Sequence, residues 1–301
     1  MAKRKTRGLY HGYLIIDKPA GWTSHDVVGR IRRILGERRA GHAGTLDPAA
    51  TGVLPIAVGL ATRTVEYLSE ASKAYRAEFT FGVTTDSADG DGVLTSVKDA
   101  SQLAERDVVA ALARFEGEQM QVPPMHSAIR IDGERLYERV RRGEEVEVPP
   151  RPVTIHDIHL ESWNPPVARV FVSCSKGTYI RSLARDIGQM AGTGAYMSNL
   201  VRVRTGPFTL EHAIRLDELE DLVRECPWER IAAHPDIALS DRPALVLADP
   251  AALAWRQGKN VESAGADGIV RVYDTNGDWL GVGQGDDSGA FVRPLKVVSE
   301  V

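Results

Sequence analysis

Two hydrophobic periods alternate along the chain. Residues 13–16 form a short apolar run ended by Asp17-Lys18-Pro19-Ala20-Gly21, which predicts a buried strand and then a turn. Val27, Val28, Ile31, Ile34 and Leu35 recur at helical spacing behind Thr23 and Asp26, a pair spaced as a capping box, and Arg30, Arg32 and Arg33 fall on the opposite face. Residues 53–58 predict a second buried strand and residues 62–69 a helix. From Tyr75 the period becomes two: Tyr75, Ala77, Phe79 and Phe81 alternate with Arg76, Glu78 and Thr80, as in a half-buried strand. Further helices are predicted over residues 102–115, ended at Gly117, and over 179–190, with strands over 153–163, 168–174 and 196–204.

Between these elements lie stretches with neither period. Residues 38–52 read as one long loop. Residues 119–152 are charged and flanked by prolines, and hold an Asp132-Gly133 turn and a basic helix over 134–142; they read as an insertion on the main sheet. After an acidic segment around residues 217–229, residues 232–242 read as a linker, and beyond them the pattern is strand-rich: residues 269–273, a turn at Asn276-Gly277, then 279–283 and 290–298. A chain of 301 residues is long enough for two domains.

Composition sharpens this picture. With 43% hydrophobic and 26% charged residues the chain can bury a substantial core and is not of a disordered type. Two cysteines, Cys174 and Cys226, are too few for a disulfide framework and fit a reducing cytoplasm. The basic start is followed by too short an apolar run for a secretion signal, and the weakly polar stretch 52–61 falls far short of a membrane span, so a soluble protein is expected. The net charge of −4 argues at first against a polyanionic partner. Its distribution leaves room for one, because residues 1–70 carry 11 Lys and Arg against 6 Asp and Glu and a local basic field can hold phosphates, although charge alone reads as a solvated helix face.

Candidate chemistry concentrates in the loop Gly41-His42-Ala43-Gly44-Thr45-Leu46-Asp47-Pro48-Ala49-Ala50-Thr51-Gly52. Its glycines permit tight turns, and Pro48 biases Asp47 toward an extended conformation that can project a carboxylate, although an Asp in such a loop is also an ordinary turn residue. The Gly-Lys-Ser/Thr ending of a triphosphate-binding loop is missing. Lys176-Gly-Thr-Tyr179-Ile-Arg181 joins a strand to a helix, and Arg181 needs an anion there: either Asp186 or another surface acid, or a buried catalytic carboxylate. Asp86, Asp89, Asp91 and Gly92 are reminiscent of a calcium loop, but the alignment puts Ser87 first and Lys98 last, so no metal site is expected.

These segments together resemble the TruB-type family of pseudouridine synthases that act on tRNA. The matching pieces are residues 16–24, the loop 41–52, Lys73-Ala74-Tyr75, Pro123-Pro124 with Ser127-Ala128, and Gly177-Thr178-Tyr179-Ile180-Arg181, in order over residues 10–215. The C-terminal region is more weakly similar to a PUA-type RNA-binding domain. The resemblance implies an α+β fold: a mixed, mainly antiparallel sheet with flanking helices and an inserted segment in a catalytic domain over 1–240, then a small β-rich PUA-like domain over 241–301. It implies an isomerase that flips uridine 55 out of the tRNA T-loop and converts it to pseudouridine, as a monomer, with no cofactor, metal or protein partner. In that reading Asp47 is the catalytic aspartate, Arg181 pairs with it, and Tyr179 sits against the reacting nucleotide. Tyr75 stacks on the base, Leu200 lines the pocket, His42 lies near the space the base vacates, and Lys18-Pro19 supports the loop. The basic cluster over 30–39, the stretch 130–142 and the C-terminal domain are the expected RNA contacts. An RNA-guided relative that depends on partner proteins, a tRNA-folding chaperone and an Asp-dependent hydrolase of small molecules are the alternatives.

Overall fold

The computed structural model describes residues 10–298 except 126, 128, 132, 137–138, 140–141, 143, 145 and 264. Two sheets organise it. The larger is built from β1 (Gly12–Lys18), β2 (Ala40–His42), β3 (Thr51–Val58), β4 (Lys73–Phe81), β7 (Gly117–Gln121), β10 (Arg151–Asn164), β11 (Val167–Cys174), β12 (Ala195–Thr205), β13 (Phe208–Thr209) and β14 (Ile214–Arg215), in the order β14-β1-β3-β12-β4-β11-β10-β7. Only the β1–β14 and β3–β12 pairs are parallel, so the sheet is mixed and mainly antiparallel. Two small hairpins stand off it, β5 (Val83–Thr85) with β6 (Leu94–Val97), and β8 (Arg130–Ile131) with β9 (Glu134–Arg135).

The helices form where the apolar stripe meets a local stop signal. In α1 (Ser24–Leu35) the Thr23 hydroxyl accepts from the Asp26 amide at 3.1 Å while the Asp26 carboxylate accepts from the Thr23 amide at 3.0 Å, completing the capping box, and Gly36 ends the helix in the left-handed region. Val27, Val28 and Ile31 are buried against Leu14, Ile16, Leu54 and Ile56 of the sheet. Helix α4 (Ile180–Met190) buries Ile180, Leu183, Ala184 and Ile187 in the same core.

Several expectations need correction. The helix over 62–69 is broken at Thr64, whose hydroxyl serves the Ala61 and Pro235 carbonyls, leaving a 3₁₀ turn (Gly59–Arg63) and the short α2 (Val65–Glu70). Residues 102–104 are not helical, because Asp99 ties Ser101 into a turn, and α3 spans Glu105–Ala113. The insertion starts later than residue 119, since β7 is the paired edge of the main sheet. Glu134 and Arg135 belong to a hairpin strand instead of a helix start, and much of the remaining basic stretch lies outside the described residues. Residues 232–242 are no free linker: Ala233 bridges Tyr13 on the edge of the sheet, and Leu239 is fully buried.

The second sheet holds β15 (Ala244–Leu247), β16 (Val261–Glu262), β17 (Ile269–Asp274), β18 (Trp279–Gly285) and β19 (Phe291–Val297) in the order β15-β17-β18-β19-β16, and encloses Trp255, Val270, Val272 and Leu280. Among the described residues no helix is long and apolar enough to cross a membrane.

One glycine fixes the geometry beside the loop 41–52. Gly52 has φ +99°, and a Cβ there would lie 2.3 Å from the Arg202 carbonyl oxygen of the neighbouring strand. Gly52→Ala is therefore expected to destabilise the fold by about 2–4 kcal/mol, since neither the backbone conformation nor the strand spacing accommodates a side chain. Urea titration checks this, and an unchanged midpoint would show that β3 and β12 can separate freely.

Candidate active site

The loop 41–52 lies at the junction where β3 meets β12 and is held by its backbone. Lys18, fully buried at the end of β1, donates from Nζ to the carbonyls of Pro19 (2.9 Å), Trp22 (2.7 Å) and Pro48 (3.0 Å). The Ser24 hydroxyl accepts from the Leu46 amide at 2.9 Å, and the Gly21 amide donates to Pro48 at 2.9 Å. From β12, buried Arg202 donates to the carbonyls of Val53 (2.7 Å), Thr45 (3.2 Å) and Gly44 (3.2 Å). Clamped on both sides, the loop presents Asp47 at a fixed place on the rim of a cleft of about 370 Å³.

The cleft is lined by Asp47, Tyr75, Tyr179, Arg181, Leu200 and Arg202, with Lys73 and Ser127 among the others. Asp47 keeps 41% of its side chain open, whereas the Arg181 side chain is only 6% exposed. Arg181 Nε meets Asp47 Oδ2 at 3.1 Å, and Arg181 Nη1 meets Asp89 Oδ2 at 3.1 Å, so one guanidinium holds two carboxylates. This resolves the anion that Arg181 requires; Asp186 instead pairs with Arg185. Burial raises the Asp47 carboxyl above the usual carboxylate value, opposed by Arg181 and Lys18 and reinforced by Asp89 and Asp91.

Tyr75 is nearly buried on β4, and burial pushes its hydroxyl up, countered by the adjacent Arg202 cation. Tyr179 caps α4, with its amide donating to Gln121 Oε1 at 2.8 Å and its carbonyl accepting from Gln121 Nε2 at 3.1 Å. Leu200 projects from β12 into the same space. Two expected site residues stand apart from the cleft. Lys18 lies behind the loop, where burial lowers its ammonium to about 8, and His42 packs edge-on to His25 at 6.2 Å with Nδ1 buried and no partner among the described residues.

The TruB family pseudouridylate synthase N-terminal domain matches residues 32–180, the tRNA pseudouridylate synthase B C-terminal domain 181–234, and the pseudouridine synthase II TruB C-terminal domain 243–298. The chain belongs to the TruB family. It is 48% identical to the tRNA pseudouridine synthase B of Symbiobacterium thermophilum over 83% of both chains. It is 42% identical to that of Saccharophagus degradans over 100% of both chains. Among solved structures it is similar to a Cbf5-Nop10-Gar1 complex (TM-score 0.76, 28% identity, 96% of this chain and 85% of the other). It is also similar to an H/ACA RNP bound to a substrate RNA containing 2'-deoxyuridine (TM-score 0.75, 26% identity, 96% and 86% covered).

Two residues of this TruB-family site escape the sequence reading. Asp89 shows there only as a failed calcium ligand, and Arg202 only as a charge within a strand. Asp89→Asn removes a like charge near Asp47, so the Asp47 carboxyl should fall. We expect the acid limb of the pH–rate profile to move to lower pH; a shift to higher pH would mean that Asp89 orients Arg181 more than it repels Asp47.

Proposed function

We propose that this TruB-family chain isomerises a uridine of the tRNA T-loop, position 55, to pseudouridine, with Asp47 as the reacting carboxylate. The observation that carries the proposal is Asp47 itself: pinned by buried Arg181, fixed through its loop backbone, and open to a cleft walled by two tyrosines. The curated relatives 48% and 42% identical to it are named tRNA pseudouridine synthase B, which supports the reading.

The chemistry follows from that arrangement. A T-loop base is stacked and must leave the stack, at a cost of about a few kcal/mol, before its glycosidic bond can be reached. Tyr75 offers a flat face at the cleft wall for the extruded base, and Leu200 an apolar surface beside it. In the reaction the C1'–N1 bond breaks, the uracil rotates, and a C1'–C5 bond forms. The C5 proton passes to solvent and N1 takes one up, so mass and oxidation state are unchanged. Asp47 needs to be ionised to act on the nucleoside. Arg181 favours that form against the burial that opposes it. Tyr179 stands within the cleft as a hydrogen-bonding or proton-transfer group.

If stacking is the task of Tyr75, Tyr75→Phe should retain most activity and Tyr75→Leu should lose about 10-fold to 100-fold, in line with about 1–3 kcal/mol per stacked base. Equal losses in single-turnover assays would remove the stacking role.

The RNA contacts would come from exposed Arg33, Arg38 and Arg39 beside the loop, from the segment after β7, and from the C-terminal sheet. In this reading a catalytic unit over 1–240 is followed by an RNA-binding unit over 241–301, and the protein works as a cytoplasmic monomer. Solved neighbours include assemblies with partner proteins at 28% identity, but a curated tRNA pseudouridine synthase B is 42% identical over the whole of both chains, which favours action without guide or partner. Incubation of the purified chain with an unmodified tRNA transcript, followed by carbodiimide mapping, should place one adduct in the T-loop. A requirement for partner proteins or guide RNA would support the RNA-guided reading instead.

A further inference from the structure

The edge strand β7 ends on a side chain whose two polar atoms go to one distant residue. Gln121 is 5% exposed, its Oε1 accepts from the Tyr179 amide at 2.8 Å, and its Nε2 donates to the Tyr179 carbonyl at 3.1 Å. A buried carboxamide needs partners, but bonds to separate residues would satisfy it equally well. Closing both on Tyr179 fixes where that residue sits and how it is turned.

Tyr179 is the place where such a hold matters. It is the N-cap of α4, its own side chain makes no capping bond, and its carbonyl also accepts the first helical bond, from the Leu183 amide at 3.1 Å. The apolar stripe of Ile180, Leu183, Ala184 and Ile187 seats the helix on the core, yet apolar contact is non-directional and does not by itself set the rotation of the first turn. Directional bonds do that. Next to Gln121, the Val122 carbonyl accepts from Ser182 Oγ at 2.8 Å and from Arg185 Nη2 at 3.1 Å, so strand end and helix start are stitched along one seam. The same turn carries Arg181, whose guanidinium meets Asp47 and Asp89 at 3.1 Å each and tolerates little displacement of its backbone. Gln121 is not among the residues that line the cleft.

We propose that Gln121 is a positioning residue: by clasping both backbone groups of Tyr179 it holds the first turn of α4 where the Arg181 guanidinium reaches Asp47. The kinetic consequence rests on the uridine-isomerising reading above; the effect on the Asp47 carboxyl does not.

The test uses the full chain. Gln121→Met keeps the length and removes both bonds, and Gln121→Glu keeps an acceptor for the Tyr179 amide while losing the donor to its carbonyl. Gln121→Met should lower kcat for tRNA by about 10-fold to 100-fold, the scale of a misplacement of about 1 Å at a catalytic group, with KM little changed, and Gln121→Glu should fall between it and the wild type. Thermal melts identify a variant that fails to fold, in which case the milder one carries the comparison. A fastening without a role in the site would lower the melting temperature and leave two further readouts unmoved. In the Arg181→Lys background Gln121→Met should cost only a few-fold more, because its effect passes through Arg181. In the RNA-free protein the Asp47 carboxyl, followed by carbon NMR and assigned by its loss in Asp47→Asn, should titrate higher in Gln121→Met than in the wild type, since Arg181 is the main influence opposing its burial. Losses that simply multiply in the double variant, or an unshifted Asp47 titration, overturn the proposal. A wild type that fails to act on tRNA sinks the functional reading, and the Asp47 titration then decides the role of Gln121 alone.

Discussion

Arg181→Lys is expected to preserve the charge of the site and still lower turnover by about 10²-fold to 10³-fold, the usual effect of removing one preorganised donor from a catalytic group. The guanidinium meets Asp47 through Nε and Asp89 through Nη1 at 3.1 Å each, from a side chain 6% exposed. A lysine ammonium is a compact point charge and cannot reproduce that planar span, so it must favour one carboxylate over the other. Leaving Asp47 with a weaker partner weakens the main influence opposing its burial, and its carboxyl should titrate higher still. The acid limb of the pH–rate profile should therefore move to higher pH, opposite to the shift expected for Asp89→Asn. Near wild-type turnover with an unshifted profile would reduce Arg181 to a structural ion pair.

Asp47→Asn is the second large effect, and its signature is a separation of activity from stability. Turnover should fall by at least about 10⁴-fold, as when an enzyme loses its reacting group, while affinity for tRNA stays near that of the wild type. The stability sign follows from the raised carboxyl. A carboxyl that titrates higher in the folded than in the unfolded protein binds more protons when folded, so it withdraws stability as pH rises from the unfolded value through the folded one. At neutral pH the wild type bears that penalty and the neutral amide does not. Thermal melts at pH 7 should show the variant at least as stable as the wild type, the relation expected where function is held at the expense of stability. A marked fall in melting temperature would show that the Asp47–Arg181 pair is mainly structural.

Much of this architecture was legible because the relevant signals are local. The capping box at Thr23 and Asp26, the period-two alternation from Tyr75 and the Asn276-Gly277 turn each depend on a few neighbouring residues, and the structure contains each. The glycine-rich loop stood out for its glycines and Pro48, yet by its residues alone Asp47 reads as an ordinary turn residue, and only the family resemblance gave it a catalytic role. Asp89 and Arg202 left no comparable mark. Asp89 reaches Arg181 only because the turn between β5 and β6 comes beside the start of α4, and Arg202 reaches the loop only through the pairing of β3 with β12. The linker expected over 232–242 failed for the same reason: the segment carries neither a helical nor a strand period, and the burial of Leu239 and the backbone bridge to Tyr13 arise only in the folded chain. Lys18 was visible as a motif, yet its position behind the loop, with all three donors given to carbonyls, is a property of the fold.

The proposed step is the rearrangement of a tRNA uridine by a carboxylate fixed by Arg181. Its most direct test is release of tritium from an unmodified tRNA transcript labelled at uridine C5, followed for the wild type and Asp47→Asn side by side without added protein or guide RNA. The wild type should release one tritium per tRNA, with none above background from the variant despite intact tRNA binding. Release by Asp47→Asn at near the wild-type rate would contradict it.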